Sequence, residues 1–223
     1  MSTKGKLVRL LANAVLKRAI VVDVQKIGGF QRLLLQCDDV QRFSAGTKVQ
    51  LLLPSDDMRT YTPIPSADGM VLLAWKHIDG PGALWMSNAQ MGEELWFIGP
   101  QHSLTVNAGP AIIIGDETSI AVAAAFESER PGQIQTIIQT EAASEVRDAA
   151  RSVGLHQIDI IARGDTVSTV RAVTAKLSIS PNALVALTGG SELVVSVREA
   201  LRSAGVQNIK TKAYWVRGKT GLD

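Results

Sequence analysis

The residues with the clearest chemical potential are Arg59, Tyr61 and Thr62, in the run Arg59-Thr60-Tyr61-Thr62-Pro63-Ile64. Alternate residues of a strand project from one face, so Arg59 and Tyr61 would address one ligand together, with Pro63 ending the pairing. The planar fork of an arginine bonds two oxygens of a phosphate at once. Tyr61 adds a ring for a flat heterocycle, and Thr62 adds a hydroxyl for a polar edge. This set suits a flavin nucleotide, although a Tyr between two Thr is also ordinary strand composition.

Three glycine turns extend the chemistry to anions. Asp79-Gly80-Pro81-Gly82-Ala83 precedes a predicted helix carrying Trp85. Its backbone N–H groups and the helix N-terminus would form an anion site, with Gly82 admitting a ligand close to the backbone. Gly115-Asp116-Glu117-Thr118-Ser119 and Thr188-Gly189-Gly190-Ser191 each follow a short apolar run and open a helix. Neither is the dinucleotide fingerprint GxGxxG. Two such turns at strand ends fall on one edge of a sheet, which favours one shared ligand there. His77 follows a strand and precedes the first turn, where it would hydrogen-bond a flavin ring or phosphate or serve structure. The tail Tyr214-Trp215-Val216-Arg217-Gly218-Lys219 supplies two aromatics and two cations, or a final strand with a solvated end.

Two kinds of periodicity position these residues. From about Ile20 to Val106, short β-type runs alternate with turn signals: 19–24, 31–36, 48–53, 71–76 and 95–98, with one helix over 83–90. Their spacing predicts a small antiparallel β-barrel. From Ala111 the pattern becomes strand, glycine turn, helix, repeated. Strands are expected at 111–114, 134–138, 157–161 and 184–187, and helices at 119–129, 142–153 and 192–204. That is the signature of a doubly wound parallel α/β sheet. The boundary is placed in Asn107-Ala108-Gly109-Pro110, giving domains 1–107 and 108–223.

The composition narrows the class. With 223 residues, 46% hydrophobic and 20% charged, the chain has ample core for two modest domains. A net charge of +2 is too small to indicate nucleic acid. Cys37 is the only cysteine, which excludes an internal disulfide. Cys37 and the three histidines, His77, His102 and His156, lie too far apart in sequence for a zinc or iron–sulfur spacing. No apolar run approaches a membrane span, and the expected location is cytoplasmic. The stretch Lys4 to Arg18 mixes five cations with leucines and reads as a basic amphipathic helix or a loose terminus.

Taken in order, these segments resemble the siderophore-interacting protein family, a branch of the ferredoxin reductase-like flavoproteins. The resemblance is carried by Gly29 to Leu35, Arg59 to Pro63, His77, and Gly80-Pro81-Gly82-Ala83-Leu84-Trp85. It continues through Gly99-Pro100, Ser103, Gly115 to Thr118 and Tyr214 to Gly218. It implies an FAD-binding barrel followed by an NAD(P)-binding-like domain, with Arg59, Tyr61, Thr62, Gly82 and Ala83 holding the flavin and its phosphates. It also implies reduction of a ferric siderophore in the cytoplasm, with electrons from NADPH, NADH or a ferredoxin. The chain departs from the family pattern at Gln50 and Gln101, where basic residues are common, at His102, and at Gly190, where Glu is frequent. A less cationic pocket follows, with His102, Arg217 and Lys219 as candidates for the substrate. A general NAD(P)H:acceptor flavin reductase and a non-catalytic iron-delivery protein remain the alternatives.

Overall fold

The computed structural model describes residues 16–37, 43–76 and 80–218. The chain divides between Ser103 and Leu104 into two compact units.

The first unit contains β1 (Lys17–Ile27), β2 (Phe30–Gln36), β3 (Thr47–Leu52), β4 (Met58–Tyr61), β5 (Ile64–Ser66) and β6 (Gly69–Trp75). They are followed by helix α1 (Pro81–Asn88) and β7 (Glu94–His102). Every pairing is antiparallel, in the order β4-β3-β7-β1-β2-β6-β5. A two-residue hairpin closes on the pair Ile27↔Phe30, with Gly28 at φ 54° taking the left-handed conformation such a tight turn demands. The two ends of the strand order, β4 and β5, are joined by Thr62 and Pro63 alone. Two residues span about 10 Å at most between the flanking strand ends, so the sheet must curl until its edges approach. The expected barrel is the consequence.

Its core is built from alternating strand positions, among them Val21, Leu33, Leu35, Val49, Leu51, Leu72 and Phe97. Helix α1 contributes Trp85 and Met86 to the same core. Burying one such side chain is worth about 1.5–3 kcal/mol, enough to fix the position of a helix only two turns long. The indole Nε1 of Trp85 also donates to Glu93 Oε1 at 2.9 Å. His77 and Asp79, the first residue of the first glycine turn, lie outside the described residues, as do Lys219 and most of the Lys4–Arg18 stretch. The end of that stretch, Lys17-Arg18, opens β1.

The second unit follows the strand–helix alternation. It contains β8 (Ala111–Gly115), a short 3-10 turn (Glu117–Ser119), α2 (Ile120–Glu129), β9 (Ile134–Gln139) and α3 (Ala143–Ser152). Then come β10 (Ile158–Ile161), α4 (Thr166–Ile179), β11 (Leu184–Gly190), α5 (Ser191–Ser203) and β12 (Ile209–Trp215). The sheet is parallel throughout, in the order β10-β9-β8-β11-β12. Every residue of β8 and β11 is buried, as expected of central strands covered on both faces. Ile112, Ile114, Val185 and Leu187 pack with Val173 of α4 and with Val194, Val197 and Leu201 of α5. Helix α2 is buried along Ile120 to Phe126, and its four alanines let it lie close to the sheet. Among the described residues, no helix is long and apolar enough to cross a membrane.

Candidate functional site

In the first unit, β4 is an edge strand that pairs, among the described strands, with β3 alone, with Leu51 opposite Arg59 and Val49 opposite Tyr61. Arg59 and Tyr61 therefore share a face while Thr60 is exposed on the other. Helix α1 starts against that face. A Cβ built on Gly82 would lie 3.0 Å from Tyr61 Oη and 3.2 Å from Arg59 Cγ, so glycine lets the first helical turn meet both side chains. Tyr61 Oη donates to the carbonyl of Gly82 at 3.4 Å. Burial of the hydroxyl raises the Tyr61 pKa well above the usual tyrosine range, against the opposing charge of Arg59, so the group is a neutral donor.

The residues around this contact fit a phosphate-bearing ligand. Helix α1 begins after Gly80 with Pro81, and no side chain among the described residues caps it. The backbone N–H groups of Gly82 and Ala83 thus head a helix whose N-terminus carries partial positive charge. Among the described residues, a Cβ at Gly80 would meet nothing within 4 Å, so they leave the approach to this end open. Arg59 stands beside it, with Nη1 donating to its neighbour's carbonyl, Met58 O, at 2.8 Å and 3.8 Å from Asp57 Oδ1. Thr62 is half-buried in the link between β4 and β5.

His102 ends β7, exposed, opposite Thr47 of β3. One step along that register Gln101 pairs with Lys48, a cation that the sequence reading passed over. The alternation of strands β3 and β7 held the signal, but it needed the register to place Lys48 beside the basic-residue gap at Gln101. Gln50 is 7% exposed and belongs to the interior. Arg217 is exposed just after β12, in the second unit.

The second unit gathers its two glycine turns at one point. Strand order reverses between β8 and β11, and both turns leave the carboxyl ends of those strands. Asp116 is 1% exposed, and its carboxylate accepts four hydrogen bonds. Oδ1 takes the N–H of Thr118 at 2.9 Å and its hydroxyl at 2.5 Å. Oδ2 takes the N–H of Gly190 at 2.7 Å and the indole Nε1–H of Trp215 at 2.9 Å. Behind it, Thr188 Oγ1 donates to Ser119 Oγ at 2.8 Å.

Glu117 turns the other way. Its Oε1 accepts from Thr140 Oγ1 and from Arg163 Nη2, each at 2.5 Å. Asp116 thereby ties β8 to β11 and β12, and Glu117 ties β8 to the ends of β9 and β10. Arg163, Thr140 and Trp215 complete the edge. Arg163-Gly164 is a third strand-end glycine turn, readable in the sequence, and it was not assigned. Among the described residues, no group of three or more His, Cys, Asp or Glu is placed to hold a metal ion.

No family model and no curated protein matches the chain in sequence. Solved structures do match in fold. The siderophore-interacting protein from Aeromonas hydrophila aligns with 92% of this chain and 93% of its own, at 18% identity and a TM-score of 0.69. A siderophore utilization protein from T. fusca covers 93% and 95%, at 20% identity and a TM-score of 0.66. A ferredoxin NADP+ reductase from Neisseria gonorrhoeae, solved with bound FAD and NADP, covers 91% and 100%, at 13% identity and a TM-score of 0.72. The fold is thus the two-part, ferredoxin reductase-like one that siderophore-interacting proteins share.

Proposed function

We propose that the chain is a cytoplasmic FAD-dependent reductase of ferric siderophores that draws electrons from NADPH or NADH. The observation that carries this reading is the junction of Arg59, Tyr61 and Gly82 with the uncapped start of α1. An arginine fork and two helix-head amides would form a donor set for a flavin's pyrophosphate, with Tyr61 and Thr62 assigned to the rest of the flavin. Solved structures of this fold, including one with FAD and NADP bound, support the same reading.

FAD held by Arg59 and the amides of Gly82 and Ala83 would supply the redox chemistry the protein itself lacks, coupling one two-electron nicotinamide donor to two one-electron Fe(III) acceptors with release of one proton. The chain's own groups bind, orient and exclude. Tyr61 presents a neutral hydroxyl across the working pH range, so no proton is lost from the clamp. Lys48, paired with Gln101 on β7, would attract an anionic chelate, and His102 would offer a ring N–H from the opposite face of the same strand; Arg217 and Lys219 are separate candidates for that substrate. His77 is assigned to the flavin's surroundings. Reduction loosens a hard-oxygen chelator because Fe(II) carries less charge, so iron is delivered without a protein ligand.

The test is an anaerobic visible spectrum of purified protein before and after NADPH, NADH and then a ferric siderophore. Bleaching by a nicotinamide and recovery on the chelate is expected. Flavin that stays oxidised with both nicotinamides would assign the donor role to a ferredoxin. Failure to hold FAD even after reconstitution would leave a non-catalytic iron-delivery protein. A second reading, a general NAD(P)H:acceptor flavin reductase, is favoured by the interior Gln50 and by Gln101. It predicts no preference for ferric chelates over a neutral quinone.

A further inference from the structure

The carboxyl edge of the second-unit sheet is where a dinucleotide's pyrophosphate would meet backbone amides. The amides there are in use. Gly190 N–H and Thr118 N–H both end on Asp116, together with the Thr118 hydroxyl and the Trp215 indole N–H, at 2.5 to 2.9 Å. The glycines of this edge serve the same arrangement. A Cβ on Gly189 would lie 2.7 Å from the Asp116 carboxyl atoms, and one on Gly190 would lie 2.6 Å from the Trp215 ring. The space that glycine provides for a ligand at Gly80 is here filled by the chain's own side chains.

Resting on the reductase reading, we infer that Asp116 is a specificity-determining residue that holds the switch-point donors and keeps a dinucleotide's pyrophosphate off them. A carboxylate saturated by four donors has the stereochemistry of a bound anion. A second anion in the same cage would lose those hydrogen bonds and meet a like charge at contact distance. A nicotinamide donor at this edge would therefore find the amides of Thr118 and Gly190 already taken. The remaining acidic neighbour, Glu117, is engaged with Thr140 and Arg163 and adds negative charge on the same turn.

The experiment is calorimetric titration of inorganic pyrophosphate into FAD-saturated wild type, Asp116→Ser and the near-isosteric Asp116→Asn, so that the first-unit clamp is already filled, each checked for folding by circular dichroism. Asp116→Ser vacates the cage. Asp116→Asn removes the charge and turns its amide hydrogens toward one of the two donor pairs. The expected result is a gain in pyrophosphate affinity of about tenfold or more in folded variants, the scale of one charge-assisted hydrogen bond. Pyrophosphate should also raise the melting temperature of the variants and leave that of wild type unmoved. Wild-type binding as tight as that of the folded variants, or no gain in either variant, overturns the inference. Flavin content and nicotinamide-driven bleaching of wild type are measured separately. Active, flavin-replete enzyme with unchanged pyrophosphate affinity in the variants sinks this inference alone, and a wild type that holds no FAD even after reconstitution sinks the reductase reading.

Discussion

Gly190→Ala isolates the fit between Gly190 and Trp215. Gly190 has φ −67° and ψ 142°, a conformation alanine adopts freely, so no backbone strain enters. The added methyl would lie 2.6 Å from Trp215 Cζ2 and 2.8 Å from Cε2. Ordinary carbon contacts need about 3.5–4.0 Å, so the indole must retreat by about 1 Å. That stretches the 2.9 Å bond from Trp215 Nε1 to Asp116 Oδ2 beyond hydrogen-bonding range. A bond to a charged acceptor contributes about 1.5–3 kcal/mol, and overpacking costs about 1–3 kcal/mol. The two overlap, because moving the ring relieves the clash, and a net loss of about 2–4 kcal/mol is expected in urea denaturation. Alanine also suits the N-cap of α5 less well than glycine, a cost independent of Trp215. Repeating the change in a Trp215→Ala background cancels that term. Equal costs in the two backgrounds, within about 0.5 kcal/mol, would refute the reasoning.

Three further outcomes follow from the same geometry. Arg59→Ala should lower FAD affinity by about ten- to a hundredfold, the worth of a charge-assisted phosphate contact, and wild-type flavin content after gel filtration would count against the clamp. Tyr61 has a raised folded-state pKa, so its stabilisation is fully present below the unfolded value of about 10 and is lost as pH climbs beyond it. Melting temperatures of flavin-free protein should thus fall between about pH 10 and 11 in wild type and fall less in Tyr61→Phe, whose lost 3.4 Å bond costs little; identical slopes would exclude the assignment. Arg163→Ala, which takes the cation from the 3%-exposed Glu117 and leaves it the Thr140 hydroxyl, should cost about 1–3 kcal/mol, whereas Arg151→Ala, from the exposed pair with Asp148, should cost under about 1 kcal/mol; equal costs would contradict the burial argument.

Much of this was legible in the sequence, for identifiable reasons. The change from closely spaced β-type runs to strand–turn–helix repeats gave the two architectures, because pattern reports which faces are covered. The helix over 81–88 and the turns at Gly115 and Thr188 were signalled by glycine and proline at strand ends. Helix α4 was not. Thr166–Ile179 is rich in Thr and Val, residues of modest helix propensity, and its buried positions reduce to Thr169 and Val173. Its start is marked only by Asp165, which accepts from Ser168 N–H as an N-cap. The final strand β12 was read from its aromatic end alone, since Ile209–Lys212 alternates with lysines and is buried little.

What sequence could not give is the use to which each glycine is put. Gly80 and Gly190 both stand at a helix start after a strand, and a motif treats them alike. The difference is in what faces the missing Cβ: nothing within 4 Å at Gly80, and an indole ring at Gly190. That partner lies 25 residues further along the chain and reaches Gly190 only because β12 adds in parallel to β11, pairing Trp215 with Gly190 across a register shift. Asp116 shows the same dependence, since its turn reads as an anion site until Gly190 N–H and the Trp215 indole are seen to converge on its carboxylate. One residue type thus leaves open space at a helix start in the first unit and admits the chain's own indole in the second. A flavin held firmly by its phosphates and a nicotinamide held only in passing is the division of labour these two glycine environments favour, since the first must stay and the second must leave after each turnover.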